Sequence, residues 1–187
     1  RRHRVPRVTS YTLRKGNPDK TRADVVVVGV ARSSKGPVVA AGGEPVARAY
    51  GRKFAPLLAS LGVTGKAGEV TKVPTGKQLT SPLLVVVGLG KLATGSAPNP
   101  VAVRRAAGAA ARAVPNAASV AIALPADTVE LVRAVTEGFV LGGYTFTTYK
   151  KKRDDDATSS QPGEVVVSCP SARKKEFTAA FEDARIV

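Results

Sequence analysis

The sequence is poor in the residues that most enzymatic sites depend on. Its 187 residues include one cysteine, one histidine, no methionine and no tryptophan. The single cysteine, Cys169, excludes an internal disulfide framework and fits a reducing compartment, so we expect a cytoplasmic location. Since even an initiator methionine is absent, and the last predicted helix stops at Val187 without a capping residue, we interpret the chain as a fragment of a longer protein.

Long apolar runs are also missing. The longest uninterrupted apolar run is a handful of residues, far short of the ~20 that span a bilayer, so no membrane partner is expected. No apolar segment follows the basic start, which argues against a secretory signal. With 43% hydrophobic and 23% charged residues, the composition is instead that of a globular domain with its own core.

Candidate catalytic groups are scarce. His3 is the only histidine, so Ser-His-Asp or Cys-His catalysis has no other base of near-neutral pKa available. Asp154-Asp155-Asp156 is the only carboxylate cluster. Consecutive side chains diverge in an extended loop, and Lys150–Arg153 precede them, so we favour a solvated, charge-paired loop over a metal site. We therefore predict no catalytic, cofactor-binding or metal-binding residue in this chain.

The glycines that follow the apolar runs do not form a phosphate-binding motif. Gly88-Leu89-Gly90 is followed by Gly95, but the third glycine of a dinucleotide fingerprint is replaced by Ala93. Neither Gly-Lys pair is followed by Ser or Thr, as a P-loop requires. We favour a strand-to-loop turn at Gly88 and Gly90, and an anion or nucleotide pocket there is the alternative.

Positive charge dominates the chain, whose net charge is +15. Residues 1–22 hold eight basic side chains against the single carboxylate of Asp19, so we predict a basic, flexible tail, either native or derived from expression. A nucleic-acid-binding arm is one interpretation of this tail, and its affinity would fall steeply with salt. The few aromatic residues do not alternate with arginines as in a single-strand-binding surface.

Alternating and β-branched runs predict the strands of a sheet. They are Val8–Leu13, Val25–Val30, Glu69–Val73, Leu83–Val87, Ser119–Leu124, Tyr144–Tyr149 and Glu164–Cys169. The continuous runs among them suit central strands that are covered on both faces. Ser33–Gly43 and Lys150–Gly163 are expected to be loops, because they are rich in glycine, serine, proline or charge.

Helical periodicity fills the intervals between these strands. We predict a helix from Pro45 to Leu61, broken at Pro56 and closed by Gly62. A second helix is predicted over Val101–Val114, capped by Asn99, with Arg104, Arg105 and Arg112 facing solvent. A third is opened by Asp127, runs through Val140 and is ended by Gly142-Gly143, and a fourth spans Ala172–Ile186. Strands that alternate with helices indicate an α/β layer architecture with helices on both faces of the sheet.

Four segments share their pattern with one protein family. They are Ala23-Asp24 before VVVVGV, LLVVVGLGK at 83–91, RRAAGAAARAV at 104–114 and VTEGFVLGGYTFTTYK at 135–150. Together they resemble the N-terminal domain of the leucyl aminopeptidases, also called cytosol aminopeptidases. The family's E-G-x-x-L-G-x-Y-x-F segment, followed by an aromatic and a basic residue, is matched by Glu137, Gly138, Leu141, Gly142, Tyr144, Phe146, Tyr149 and Lys150.

The resemblance, which covers about residues 23–187, implies a fold and a domain organisation. The implied fold is a macro-domain-like mixed β-sheet sandwiched between helices. Residues 1–22 would be the tail, 23–170 the macro-like domain, and 171–187 the start of a helix linking to a missing C-terminal catalytic domain, which FEDARIV at the end of the chain resembles.

The resemblance also implies a function for the parent protein. Family members are two-metal enzymes, with zinc or manganese, that remove N-terminal residues from peptides, leucine preferred, and form homohexamers. None of the family's catalytic or metal-binding motifs has a counterpart here, so this chain is predicted to be inactive and to serve in assembly or regulation. Some bacterial members bind DNA, which keeps a nucleic-acid-binding module as the alternative. ADP-ribose binding at Gly88–Gly95, by fold analogy, is a third possibility.

Overall fold

The computed structural model of the chain describes residues 8–92, 96–144 and 161–186. The described strands are β1 (Ser10–Arg14), β2 (Val25–Ser33), β3 (Gly36–Val39), β4 (Val70–Pro74), β5 (Leu83–Lys91), β6 (Ser119–Ala123) and β7 (Glu164–Ser168). The described helices are α1 (Glu44–Tyr50), α2 (Phe54–Ser60), α3 (Pro100–Ala113), α4 (Val129–Gly143) and α5 (Lys175–Ala184). Strands and helices alternate through most of the chain, as the sequence predicts.

These strands form one mixed sheet in the order β1-β7-β6-β2-β5-β4. The first five run parallel, and β4 pairs antiparallel with β5 at the far edge. Val25–Val28 of β2 pair with β6, whereas Val30–Ser33 pair with the short antiparallel strand β3, which takes the place of β6 beyond its end. The valine run thus occupies the centre of the sheet.

Helices cover both faces of this sheet, which confirms the predicted fold class. On one face Val25 and Val27 pack in a core that includes residues of α3, α4 and α5. On the other face Val26 and Val28 pack with residues of α1 and α2. Adjacent residues of a strand point to opposite faces, so an uninterrupted β-branched run is what a doubly covered strand needs.

The helices α3 and α4 approach each other closely through glycine. A Cβ on Gly138 would overlap the carbonyl group of Arg104, and one on Gly142 would overlap the backbone of Gly108. The guanidinium of Arg104 forms an ion pair with Glu137 at 2.7 Å, beside this crossing. Part of the segment that resembles the aminopeptidases therefore has a packing role.

The helix break lies earlier than predicted. Helix α1 ends at Tyr50, a 3-10 turn spans Gly51–Lys53, and α2 begins at Phe54. Pro56 therefore lies in the first turn of α2, where the missing N–H has no intrahelical partner to lose. The break occurs at Gly51 instead, which adopts a φ of +59°. Gly62 follows α2 in a left-handed conformation, in agreement with the predicted ending.

Two other local predictions need correction. The predicted loop over Ser33–Gly43 contains β3, a four-residue strand that is short and includes a proline. The N-cap of α4 is Thr128 and not Asp127, because the Thr128 hydroxyl accepts a hydrogen bond from the Leu131 N–H at 3.2 Å. Helix α4 ends at Gly143, in agreement with the predicted Gly142-Gly143 ending. The Asn99 cap of α3 is confirmed, since Oδ1 of Asn99 accepts the Val101 N–H at 2.8 Å.

The predicted tail does not separate from the domain at residue 22. Strand β1 pairs in parallel with β7 over five residues, which confirms the strand predicted over Val8–Leu13 and corrects the prediction of a flexible tail for this part of residues 1–22. At the other end α5 buries Phe177 and Phe181 in the core and is thus integral to the domain, whatever it connects to. Beyond Tyr144, the predicted strand over Tyr144–Tyr149 lies outside the described residues, as does the Asp154-Asp155-Asp156 cluster.

Candidate functional site

A cleft of about 760 Å³ opens at the carboxyl edge of the parallel strands. One side is formed by residues that follow β1, by the end of β7 and by residues that follow β6. The other side is the segment between β3 and α1. In open α/β sheets, ligands bind outside the carboxyl ends of the strands, so this cleft is the candidate site of the domain.

The charged side chains of the cleft are sorted by sign. Lys15 follows β1 and Arg173 lies between β7 and α5, whereas Asp127 lies between β6 and α4. Glu44, the first residue of α1, is on the β2 and β3 side. Because the sheet order is β1-β7-β6-β2, both cations lie toward one end of the cleft and both carboxylates toward the other. All four residues are exposed to solvent.

Cys169 closes the floor of the cleft. Its side chain is 2% exposed, and Sγ donates a hydrogen bond to the Ala126 carbonyl at 3.1 Å. Burial raises the pKa of the thiol and the negative charge of Asp127 raises it further, whereas a backbone hydrogen bond at Ser171 opposes these effects. The thiol is therefore neutral near pH 7, the form that is unreactive as a nucleophile.

A glycine turn lets the wall of the cleft approach β6. Gly42 has a φ of +91°, and a Cβ there would overlap the Leu124 carbonyl oxygen. The Gly42 N–H donates to Oε2 of Glu44 at 2.8 Å, which orients this carboxylate at the start of α1. The wall is thus held by backbone contacts and leaves the interior of the cleft open.

The chain's own loop fills the other half of the same sheet edge. This loop, Val63–Glu69, lies against the ends of β2 and β5. Gly90 donates its N–H to the Gly65 carbonyl at 2.9 Å, and Gly88 donates to the Glu69 carbonyl at 2.8 Å. The Glu69 carboxylate in turn accepts the Gly65 N–H at 2.8 Å. We call this region the sealed half and the cleft the open half.

The sealed half corrects the interpretation of Gly88 and Gly90. Strand β5 continues through both residues to Lys91, so they do not form a strand-to-loop turn. A Cβ on Gly88 would overlap the Lys66 carbonyl oxygen. The absence of a side chain at Gly88 therefore allows the backbone of Lys66 to approach β5. The alternative, an anion or nucleotide pocket at this strand end, would have to form beyond this contact and stays a prediction. Ala93 and Gly95 lie outside the described residues.

The described side chains do not fit a metal centre. Across residues 8–92, 96–144 and 161–186, no group of three or more histidines, cysteines and carboxylates is close enough to hold a metal ion. His3 lies outside these ranges. None of the helices in the described ranges has the length and apolarity needed to span a bilayer.

The sequence reasoning missed the open half. Its residues come from the ends of strands that are far apart in the chain, and only the order of the strands in the sheet brings them together. A usable signal was present in the charged or polar residues that directly follow predicted strands, such as Lys15 and Asp127. Each such residue looked like an ordinary exposed loop position when considered alone.

Comparison with known proteins identifies the family. Residues 27–153 match the family model described as cytosol aminopeptidase family, N-terminal domain. The chain belongs to the cytosol aminopeptidase family. It is 42% identical over 186 residues to a probable cytosol aminopeptidase of Streptomyces griseus, an alignment that covers 94% of this chain and 36% of the relative. With the corresponding protein of Streptomyces coelicolor it shares 44% identity over 193 residues, covering 96% of this chain and 37% of that protein.

The chain therefore spans about a third of the length of the curated relatives it matches. The 94% of the chain that is aligned is more than residues 23–187 contain, so the family likeness extends into the segment expected to depart from it. This agrees with the position of β1 in the sheet.

Solved structures support the fold. A mutant of tomato leucine aminopeptidase superposes with a TM-score of 0.70 at 16% identity, covering 98% of this chain and 36% of that chain. The bottromycin maturation enzyme BotP in complex with Mn gives a TM-score of 0.55 at 24% identity, covering 87% of this chain and 29% of that chain. At these identities the likeness shows a shared fold and nothing more.

Proposed function

We propose that this chain is the non-catalytic N-terminal domain of a leucyl aminopeptidase, a cytoplasmic enzyme that removes N-terminal residues, leucine preferred, from peptides. The observation that carries the proposal is the family match over residues 27–153 in a chain that spans about a third of its relatives. In this proposal the two divalent cations, manganese or zinc, bind in the remaining two thirds of the protein, as the family resemblance implies.

The role proposed for this domain is to pack on its own catalytic domain and to support assembly of a homohexamer. Large apolar side chains remain uncovered at the ends of two helices, which supports this role. Leu141 and Tyr144, at the end of α4, are 50% and 63% exposed, and Ile186, just after α5, is 77% exposed. Such surface is favourable to bury against another domain or subunit.

Hydrolysis of leucyl-p-nitroanilide tests the catalytic part of the proposal. We expect no activity from the 187-residue chain with added manganese or zinc, and activity from a longer form that continues past Val187 through the length of the relatives. Activity in the short chain that survives repurification would overturn the inactive assignment. Absence of activity from a folded longer form would overturn the aminopeptidase assignment.

Sedimentation of the longer form tests the assembly role. Leu141→Ser with Tyr144→Ser should weaken the oligomer, because both substitutions remove exposed apolar area from one helix end. The matched control is Val38→Ser with Val101→Ser, which removes apolar side chains that are 52% and 56% exposed elsewhere. An unchanged distribution of oligomers in the first variant, or an equal loss in the control, would contradict the role of the α4 end.

Nucleic-acid binding is the second candidate, and the free basic side chains of α3 favour it. Arg105 and Arg112 are exposed and take part in none of the ion pairs between described residues, while the chain as a whole carries a charge of +15. Binding to a duplex would then weaken at least tenfold between 50 and 200 mM salt, since phosphate contacts release counterions.

Fluorescence anisotropy with a labelled DNA duplex would measure this affinity. Because β1 belongs to the sheet, the matched deletion should remove residues 1–7 and keep Ser10–Arg14 intact. Nucleic-acid binding would be supported if the affinity for the duplex falls in the double variant Arg105→Gln with Arg112→Gln and also in the deletion of residues 1–7. Affinity that does not depend on salt or on these variants would contradict it.

A further inference from the structure

The open half of the sheet edge has the charge layout of a site for a dipolar ligand. Lys15 and Arg173 lie on the β1 and β7 side, and Asp127 and Glu44 on the β6 and β2 side. Neighbouring strands are about 4.8 Å apart, so the distance from the β1 side to the β2 side is roughly 14 Å. A ligand across the cleft would meet cations at one end and carboxylates at the other.

The cleft also offers apolar surface to a ligand. Leu124, Ala126 and Pro45 line it beside the two carboxylates, and the neutral, buried Cys169 is a further lining residue. The volume of about 760 Å³ is within the range of small-molecule sites. An adjoining hollow of about 300 Å³ is lined by Asp19 together with the cations Lys20 and Arg48. The buried Oδ1 of Asp19 has no partner among the described residues and can accept a peptide N–H.

We propose that this cleft binds short peptides through both free termini, with the carboxylate at Lys15 and Arg173 and the ammonium at Asp127 and Glu44. An extended chain rises about 3.3–3.6 Å per residue, so peptides of about two to four residues fit the separation of the charges. A ligand with a single kind of charge would match one end of the cleft and leave the other end unfavourable. This site rests on the cleft geometry and does not depend on the proposed hydrolysis.

The test uses the 187-residue chain and the tripeptide Ala-Leu-Ala with free termini, at pH 7 and low ionic strength. Amide NMR shifts report where the peptide binds, and saturable shifts are expected at Gly42, Asp127 and Arg173. The N-acetylated and C-amidated forms of the tripeptide each remove one terminal charge. Because the four charged residues are exposed, each loss should weaken binding by about two- to fivefold.

Variants of the chain assign each terminus to its end of the cleft. Asp127→Asn should weaken binding of the free tripeptide and leave binding of the N-acetylated form unchanged. Arg173→Gln should weaken binding of the free tripeptide and leave binding of the C-amidated form unchanged. Glu130→Gln and Lys175→Gln are the matched controls, because both residues are exposed near the cleft without lining it.

The outcomes are separable from the test of hydrolysis. Terminus-specific losses in Asp127→Asn and Arg173→Gln, with unchanged controls, would support the site whether or not a longer form is an aminopeptidase. No saturable shift in a folded chain would overturn the proposal. Binding that responds to Lys15→Gln and Arg173→Gln but is indifferent to N-acetylation would also overturn it, because that pattern describes an anion site.

Discussion

The two halves of the carboxyl sheet edge differ in whether the chain's own backbone packs against the strands there. Near the ends of β2 and β5, the loop Val63–Glu69 packs against β2 and forms hydrogen bonds with the backbone of Gly88 and Gly90 in β5. At the ends of β1, β7 and β6, the chain leaves a cleft lined by charged side chains. Glycines occur in both halves, so their presence alone does not indicate a ligand site. What distinguishes the halves is whether the chain's own backbone fills the space that glycine provides.

This comparison predicts the largest effect for Gly88→Ala in the sealed half. The new Cβ would overlap the Lys66 carbonyl oxygen, and a backbone shift would disturb the hydrogen bonds of Gly88 with Gly68 and Glu69. We expect the free energy of unfolding to fall by about 3 kcal/mol. Urea denaturation followed by circular dichroism measures it.

Gly16→Ala is the matched control in the open half. Gly16 lines the cleft, and a Cβ there would meet nothing within 4 Å. Its unfolding free energy should stay within about 0.5 kcal/mol of the parent chain. Equal losses in Gly88→Ala and Gly16→Ala would refute the distinction between the two halves.

Glu69→Gln should have the next largest effect. The Glu69 carboxylate accepts the N–H groups of Thr64 and Gly65, at 3.0 and 2.8 Å, and so holds the loop against the sheet. Hydrogen bonds to a charged acceptor contribute about 1.5–3 kcal/mol, of which a neutral amide keeps a part, so we expect a loss of about 1.5 kcal/mol. Chemical denaturation of Glu44→Gln gives the comparison in the open half, with an expected loss below about 1 kcal/mol. A larger loss of unfolding free energy in Glu44→Gln than in Glu69→Gln would contradict the expectation that the sealed half contributes more to stability.

Thr128→Ala tests the border of the open half. Removing the N-cap of α4 leaves the Leu131 N–H without its acceptor and should lower the unfolding free energy by about 1 kcal/mol. Asp127→Asn, one residue earlier, should change it by less than about 0.5 kcal/mol, because Asp127 is exposed and does not cap the helix. Thermal unfolding of both variants would decide which residue caps the helix.

The smallest expected effect is a pH dependence that originates at Cys169. Its pKa is raised in the folded chain above the ordinary value of 9.0, so the unfolded thiol loses its proton first as pH rises. Below pH 8 both states are protonated and the thiol contributes no pH dependence. Above about pH 9 stability should fall, until the folded thiol also ionises.

Urea midpoints at pH 8 and pH 9.5 measure this effect. The parent chain should lose more unfolding free energy than Cys169→Ala between the two pH values. Identical pH dependence in both proteins would contradict the raised pKa. A thiol that reacts with a disulfide reagent as fast in the folded chain as in urea would show that the floor of the cleft is open.

Much of the fold was predictable because its signals are local. The β-branched run at Val25–Val30 and the Asn99-Pro100 start of α3 each specify an element within a few residues. Predictions failed where two nearby residues have the same local preference, for capping a helix or for interrupting it. Asp127 and Thr128 are both good capping residues, and Gly51 and Pro56 are both plausible sites of a helix break. The fold uses Thr128 as the cap and Gly51 as the break.

The sequence by itself determined the α/β class, most strands and helices, and the family likeness, since periodicity and short motifs are properties of neighbouring residues. Only the tertiary structure decided that β1 joins β7, that Gly88 receives the chain's own loop, and that Lys15 lies toward the same end of a cleft as Arg173. These are contacts between residues far apart in the chain. They depend on the order of strands in the sheet, which no local pattern encodes.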